Sequence, residues 1–520
     1  MSSPPSRTPL HHTRSILILC FFLLLDTKAQ IPEPAVDHID PDNPPRGIIT
    51  DDWMQVTMQG KKIGYVHQRM ERIEDEIHSS LFQLMRINRF GTTMKIQLNQ
   101  FARETLDGQP IAQTTEYKIP PSSIQTRAVV KEDKLKVTIT RGEKKTNKEI
   151  MIGDSLRFVW GMWRESLKKG FDKGTRYQHA LYSPELSPTS LIETEHVVRG
   201  QEVKKLHGHK QKLHHIKSKM QVGPTAIVMH SWTNNSGRPL LMKSKMGGLP
   251  LKIKITTKEK ALSDFEPPDV IERTLVYLNQ ALPKEASKAT YILNFPENHP
   301  PQSLPNSYNQ TVTLEEKGRT TLQVRSTQPP TNLTKTKRKP KGTEEIKDDR
   351  YLKKQGILSL TSQQFKKQLK AAKIKSNETA YKKAKSLTAY VAEYIEDKNF
   401  DMGFGSAAEV AKYRQGDCTE HAVMLAALGR AANIPTRAAA GLAYLPSHQN
   451  HRNLMGYHMW TQFYIDGQWM DFDAALHDHR ERPARIALAT SPLNEGIDGG
   501  LSLKLWNLIG QLDVELESAN

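Results

Sequence analysis

Cysteine is scarce in this chain: of its 520 residues only Cys20 and Cys418 carry a thiol. Cys418 stands in Gly416-Asp417-Cys418-Thr419-Glu420-His421, ahead of an Ala- and Leu-rich run at 422–432 that closes at Asn433 and Pro435. This pattern predicts a helix with Asp417 at the N-cap and Cys418 in the first turn. Unpaired backbone N–H groups and the positive end of the helix dipole favour an anion there, so the sulfur is biased toward thiolate, the nucleophilic form.

A thiol nucleophile needs a base. His421 is one candidate, three residues along the same helix. His458 is the other, in a strand-like segment at 456–465 that runs into Asp466-Gly467 and a second strand at 468–475. Asp-Gly favours a two-residue type I′ turn. That turn pairs Ile465 with Gln468, Trp460 with Asp473 and His458 with Ala475, which puts His458 and Asp473 on one face as diagonal neighbours. Their backbones would lie about 7–8 Å apart, within reach of an imidazole–carboxylate hydrogen bond. Asp471 falls opposite Gln462, roughly 13 Å from His458 along the strand. A one-residue slip would reverse the faces. Such a carboxylate fixes the imidazole tautomer and supports its charged form while the ring takes the thiol proton. Trp460 and Trp469 are candidate walls of an acyl-donor cleft, against the alternative of simple cross-strand packing. His448, His451, His458, His477 and His479 reproduce no familiar ligand spacing, and no dense acidic loop appears, so no metal or other cofactor is expected.

The elements that must hold these residues belong to a chain too long for a single core. Residues 15–25 are apolar, follow Arg7, His11, His12 and Arg14, and precede Thr27-Lys28-Ala29. This reads as a secretory signal over 1–29, too short to span a membrane, and predicts export to the periplasm or cell surface. Removing it leaves Cys418 as the single thiol, which excludes an internal disulfide framework. Residues 30–50 read as a tether. Residues 51–325 alternate with period two between Gly-containing turns, giving a β-rich antiparallel region of one or two domains, with a helix near 155–167. The hairpin at 311–324 closes it. Residues 326–349 hold Pro329-Pro330 and the cluster Lys335, Lys337, Arg338, Lys339, Lys341, a basic linker by composition. The period becomes helical from Phe365 through Tyr394, so 350–480 is a separate catalytic unit, with 481–520 an extension packing on it. The fold class is α+β. A net charge of +18 favours anionic surfaces, whereas no aromatic-interleaved basic motif supports nucleic acid.

Four stretches together resemble the transglutaminase-like superfamily of bacterial exported proteins over about 350–476. They are Gly-Asp-Cys-Thr-Glu-His-Ala at 416–422, Ala-Ala-Asn-Ile-Pro-Thr-Arg at 431–437, Gly-Tyr-His-Met-Trp at 456–460 and Asp-Gly-Gln-Trp-Met-Asp-Phe-Asp at 466–473. The resemblance implies a papain-like fold, a nucleophile helix packed on an antiparallel sheet. It implies Cys418 as nucleophile, His458 as general base and Asp473 as its orienter. The activity it implies is acyl transfer from an amide through a Cys thioester, in a protein or peptide substrate such as one of the cell envelope. A peptidase or amidase is the expected form; an amine-accepting cross-linking enzyme and a non-catalytic surface module are the alternatives. Ala474-Ala475 departs from the Pro-Thr that often follows the acid in such relatives.

Overall fold

The computed structural model describes residues 39–520 except 90–91, 121, 143, 223–224, 247, 270–273, 296–302, 317, 328–348, 400–403, 449–450, 477–481, 495–500, 502–504 and 506–507. The expected signal segment and nearly all of the basic linker lie outside the described residues. The expected tether ends early, because the first strand, Gly47–Met58, already buries Ile49 and Thr50.

The alternating segments form one sheet of fourteen strands among the described residues. Residues 47–151 zigzag away from the first strand in one direction, and residues 176–256 return from the other. Gly47–Met58 and Leu249–Thr256 join the two halves, with Trp53 opposite Thr256 and Met58 opposite Leu251. The region is therefore a single sheet rather than two similar domains. Its first hairpin turns at Gln59-Gly60, where φ is 51° and 84°, values that Gly tolerates freely and that a type I′ turn requires. The expected helix appears as Val159–Lys169 and covers one face of the sheet, with Trp160 packed among Ile49, Met70 and Ile77. Its first turn is held by Glu104, whose carboxylate accepts the amides of Trp160 at 2.7 Å and Gly161 at 2.8 Å. Burial pushes that carboxyl up to about 7, against the opposing pull of the two amides.

The carboxy-terminal unit is built around the helix Cys418–Ala431, whose residues from Glu420 to Arg430 are all buried. Helices Ser362–Ala371, Ala380–Tyr394 and Ala407–Tyr413 surround it. On another side lies a five-stranded sheet in the order Val276–Tyr277, His451–Ile465, Thr436–His448, Arg485–Ser491, with Gln468–Phe472 also paired to His451–Ile465. A second sheet of four strands runs Gln310–Glu316, Arg319–Arg325, Lys288–Asn294, Asp513–Ala519.

This arrangement redraws the expected division at 325. Val276, Tyr291, Leu293 and Leu322 share one core with Val423 and Leu425, and Tyr291 Oη donates to the Pro483 carbonyl at 2.9 Å. Period two reveals a strand but not the sheet that it joins. Among the described residues after 481, Arg485–Ser491 forms an edge strand of the five-stranded sheet and Asp513–Ala519 pairs with Lys288–Asn294.

Candidate active site

The helix start is built by Asp417, whose carboxylate accepts the Thr419 amide at 2.8 Å and the Thr419 hydroxyl at 2.7 Å. Glu420 turns back to accept the Asp417 amide at 2.9 Å and reaches across to the Gly405 amide at 2.6 Å. Gly416 must be glycine here. Its φ is +143°, and a Cβ would stand 2.4 Å from Glu420 Cβ. Burial and the neighbouring Asp417 charge raise the Glu420 carboxyl well above its ordinary value. Cys418, half-buried, opens the first turn and packs against the main core.

The strand His451–Ile465 presents His458 opposite Gly441, whose own Cβ would meet the Ile486 carbonyl oxygen at 1.9 Å. The hairpin has the register that Asp466-Gly467 predicts, with Ile465 opposite Gln468, Gln462 opposite Asp471 and Thr461 opposite Phe472. Both turn residues have positive φ, 50° and 84°. Regular pairing stops at Phe472, and Asp473 follows it inward. Its Oδ2 lies 2.8 Å from His458 Nε2 and 3.6 Å from Arg485 Nη1. Its Oδ1 accepts the amides of Ala475 and Leu476, each at 3.0 Å. Burial opposes the Asp473 charge, but His458, Arg485 and the Leu476 amide together hold the carboxyl well below the usual carboxylate range. A carboxylate at Nε2 selects the tautomer with its proton there, which leaves a lone pair on Nδ1.

Helix and strand are locked together by Thr461, whose hydroxyl donates to the Ala422 carbonyl at 3.0 Å. Thr461 lies three residues beyond His458, and Ala422 lies one turn beyond Cys418. The structure thus brings His458 and Asp473 into direct contact and seats the Cys418 turn on the strand that carries His458. His421 is bonded within its own helix through one ring nitrogen, while its Nε2 is buried without a hydrogen-bond partner among the described residues. Its Nδ1 donates to the Asp417 carbonyl at 2.7 Å within its own helix, and burial lowers its pKa. Asp471 does not meet His458; it accepts from Gln462 Nε2 at 2.8 Å, and its amide donates to Asn309 Oδ1 at 2.8 Å.

The two tryptophans are not a pair. Trp460 is buried and stacks on His458 with ring centroids 6.0 Å apart. Trp469 instead meets Tyr464, Tyr351 and the Arg437 guanidinium. Trp469 stands opposite Tyr464, four residues past Trp460, a separation of roughly 13 Å along the strand. Arg485 reaches Asp473 from a strand that begins twelve residues later, with no local sequence motif to announce it. Among the described residues no group of three or more His, Cys, Asp or Glu could hold a metal, and His477 and His479 lie outside those residues.

Residues 367–474 match the model of the transglutaminase-like superfamily. No curated protein matches the chain. Among solved structures, a β-barrel-like protein of a domain of unknown function from Brucella abortus is similar over 41% of this chain and 97% of its own, at 11% identity and a TM-score of 0.34. A candidate cysteine protease from Cytophaga hutchinsonii covers 45% of this chain and 86% of its own, at 16% identity and a TM-score of 0.26. A candidate protease from Parabacteroides distasonis covers 68% and 64%, at 11% identity and a TM-score of 0.18.

Proposed function

Starting from a transglutaminase-like domain at residues 367–474 in an α+β protein with a β-rich region ahead of it, we propose that the protein is an exported thiol-dependent acyl-transfer enzyme acting on amide bonds. Cys418 is its nucleophile, His458 its base and Asp473 the residue that orients the base. The observation that carries this reading is the 2.8 Å contact between His458 Nε2 and Asp473 Oδ2, both side chains being nearly inaccessible to solvent.

In the proposed cycle, Nδ1 of His458 takes the Cys418 proton and the thiolate attacks the amide carbonyl. The imidazolium returns that proton to the leaving amine, which departs and leaves a thioester on Cys418. Water, deprotonated by the same ring, then releases the acid and the thiol. The Cys418 amide, in the first turn of the helix, is one donor to the developing oxyanion. Hydrolysis of a peptide or isopeptide is favoured over cross-linking, since water needs no second binding site.

Labelling Cys418 with an electrophilic amide mimic across pH tests the proposal. Labelling is expected to require the deprotonated thiol and to weaken strongly in His458→Ala; equal labelling of both proteins would overturn the dyad. Incubation with a glutamine peptide and a labelled amine separates the two forms, and incorporation of the amine would replace hydrolysis by cross-linking.

A further inference from the structure

The Gly405 amide that braces Glu420 sits in a stretch held from outside the carboxy-terminal unit. Ser406 caps the helix Ala407–Tyr413, and its amide donates to Glu409 Oε2 at 2.8 Å. The same carboxylate is shared with the fourteen-stranded sheet: Ser122 Oγ donates to Oε1 at 2.7 Å, and Arg141 Nη2 to Oε2 at 3.1 Å. Arg141 Nη2 also donates to the Phe404 carbonyl at 2.8 Å. The Arg141 and Glu409 side chains are only 18% and 20% exposed, so solvent screens the pair weakly. From Phe404 the contacts continue without a break: the next residue's amide holds Glu420, Glu420 holds the Asp417 amide, and Asp417 caps the helix on which Cys418 is the first residue.

We infer that Arg141 is a positioning residue for Cys418, and that the amino-terminal sheet is thereby a working part of the acyl-transfer site rather than an appended module. This rests on the proposed role of Cys418. Nη2 carries two protons, and this one nitrogen donates to both the Glu409 carboxylate and the Phe404 carbonyl, which holds them in fixed relation. Releasing it frees residues 404–406, loosens Glu420 and lets the first helical turn fray. A frayed start loses the ordered N–H groups and dipole that favour a thiolate. Among the described residues, Glu420, buried beneath that turn, connects toward the sheet through the Gly405 amide and the residues after it. The neighbouring contact, Lys144 Nζ to Ser359 Oγ at 3.0 Å, is exposed and does not lead to the helix start, so it serves as an internal control.

The test uses the full chain and follows iodoacetamide alkylation of Cys418 against pH, with circular dichroism to verify the fold. In Arg141→Ala the midpoint of the profile is expected to rise by about one pH unit, equivalent to about tenfold slower labelling below it. Arg141→Lys should recover part of the shift, and Lys144→Ala should behave as the unaltered protein. A folded Arg141→Ala protein with an unchanged profile overturns the inference. Should Arg141→Ala fail to fold, Glu409→Gln carries the test: a smaller shift in the same direction supports it and an unchanged profile refutes it. Loss of the acyl-transfer reading looks different, since Cys418 in the unaltered protein would then titrate as an ordinary thiol, insensitive to His458→Ala.

Discussion

Two helices in this molecule start on a buried glutamate, and they use it in opposite ways. In the amino-terminal region, Val159–Lys169 has no side-chain cap of its own, and Glu104 arrives from a strand to take the amides of Trp160 and Gly161 directly. The positive end of that helix is occupied, and the helix serves to hold the sheet. In the carboxy-terminal unit, Asp417 caps Cys418–Ala431 locally, while Glu420 faces back toward the Asp417 and Gly405 amides with its carboxyl raised well above the ordinary range. The upward shift of the Glu420 carboxyl, caused by its burial and the neighbouring Asp417, opposes a build-up of negative charge beside the sulfur. A helix start that only carries load can be occupied by a carboxylate from elsewhere, whereas one that favours a thiolate, as proposed for Cys418, is better served by its own cap with its positive end left open to the sulfur.

The largest effects that would sharpen this contrast fall on the carboxy-terminal unit alone. Cys418→Ala is expected to abolish covalent labelling and turnover. His458→Ala and Asp473→Asn should each lower kcat by roughly 10³–10⁴, the scale seen when a base or its orienter is lost. Circular dichroism of the amino-terminal sheet should be untouched in all three. Turnover of Cys418→Ala equal to that of the unaltered protein would break the contrast, because neither helix start would then be chemical.

Acidity should divide the regions next. Glu104 titrates at about 7 when folded, above the value of roughly 4.3 for an exposed glutamate, so the folded state retains a proton that the unfolded chain releases. Its contribution to stability is complete below about pH 4 and declines as pH rises toward 7, by up to about 3 kcal/mol. Asp473 has the opposite sign. Its folded carboxyl lies below the usual range, so its contribution is complete above about pH 4 and is lost as pH falls further. Urea melts from pH 3 to 8, read separately by near-ultraviolet signals of the two regions, should show these opposed slopes. Glu104→Gln should flatten the neutral-side decline, and a decline that persists in that variant would remove Glu104 as its cause.

How much of this was legible in the sequence depends on how local the physics is. Asp466-Gly467 sets the hairpin register through backbone sterics, so the meeting of His458 and Asp473 follows from a dipeptide and a count. Asp417 at the N-cap is equally local. Thr436–His448 carries no strand signal in its sequence, because Ala438-Ala439-Ala440-Gly441 lacks the branched and aromatic side chains that mark a strand. Small residues are needed there since the strand lies between two others and is buried on both faces, with Gly441 close to the Ile486 carbonyl. Arg485 beside Asp473, and Arg141 beside Glu409, join positions that only the tertiary fold brings together, 268 residues apart in the second case. The separate settings of Trp460 and Trp469 were implied by the same register that placed Asp473, which sets them four residues apart rather than opposite.

The smallest expected effect tests the joint between the two halves of the site. Thr461→Val keeps the shape of the side chain and removes the donor to the Ala422 carbonyl. That carbonyl belongs to the helix interior and retains its helical partner, so the penalty should stay near 1 kcal/mol, the usual net value of one hydrogen bond. Its catalytic consequence is expected to exceed this stability loss, because the bond sets where the Cys418 turn crosses the His458 strand. A tilt there lengthens the reach between sulfur and ring while leaving the His458–Asp473 contact intact. Thr461→Val should accordingly slow Cys418 labelling by more than its urea midpoint suggests, whereas Thr461→Ser, which restores the hydroxyl, should recover the rate. If both variants label at the unaltered rate, the crossing is held by apolar packing alone and the hydroxyl adds only stability.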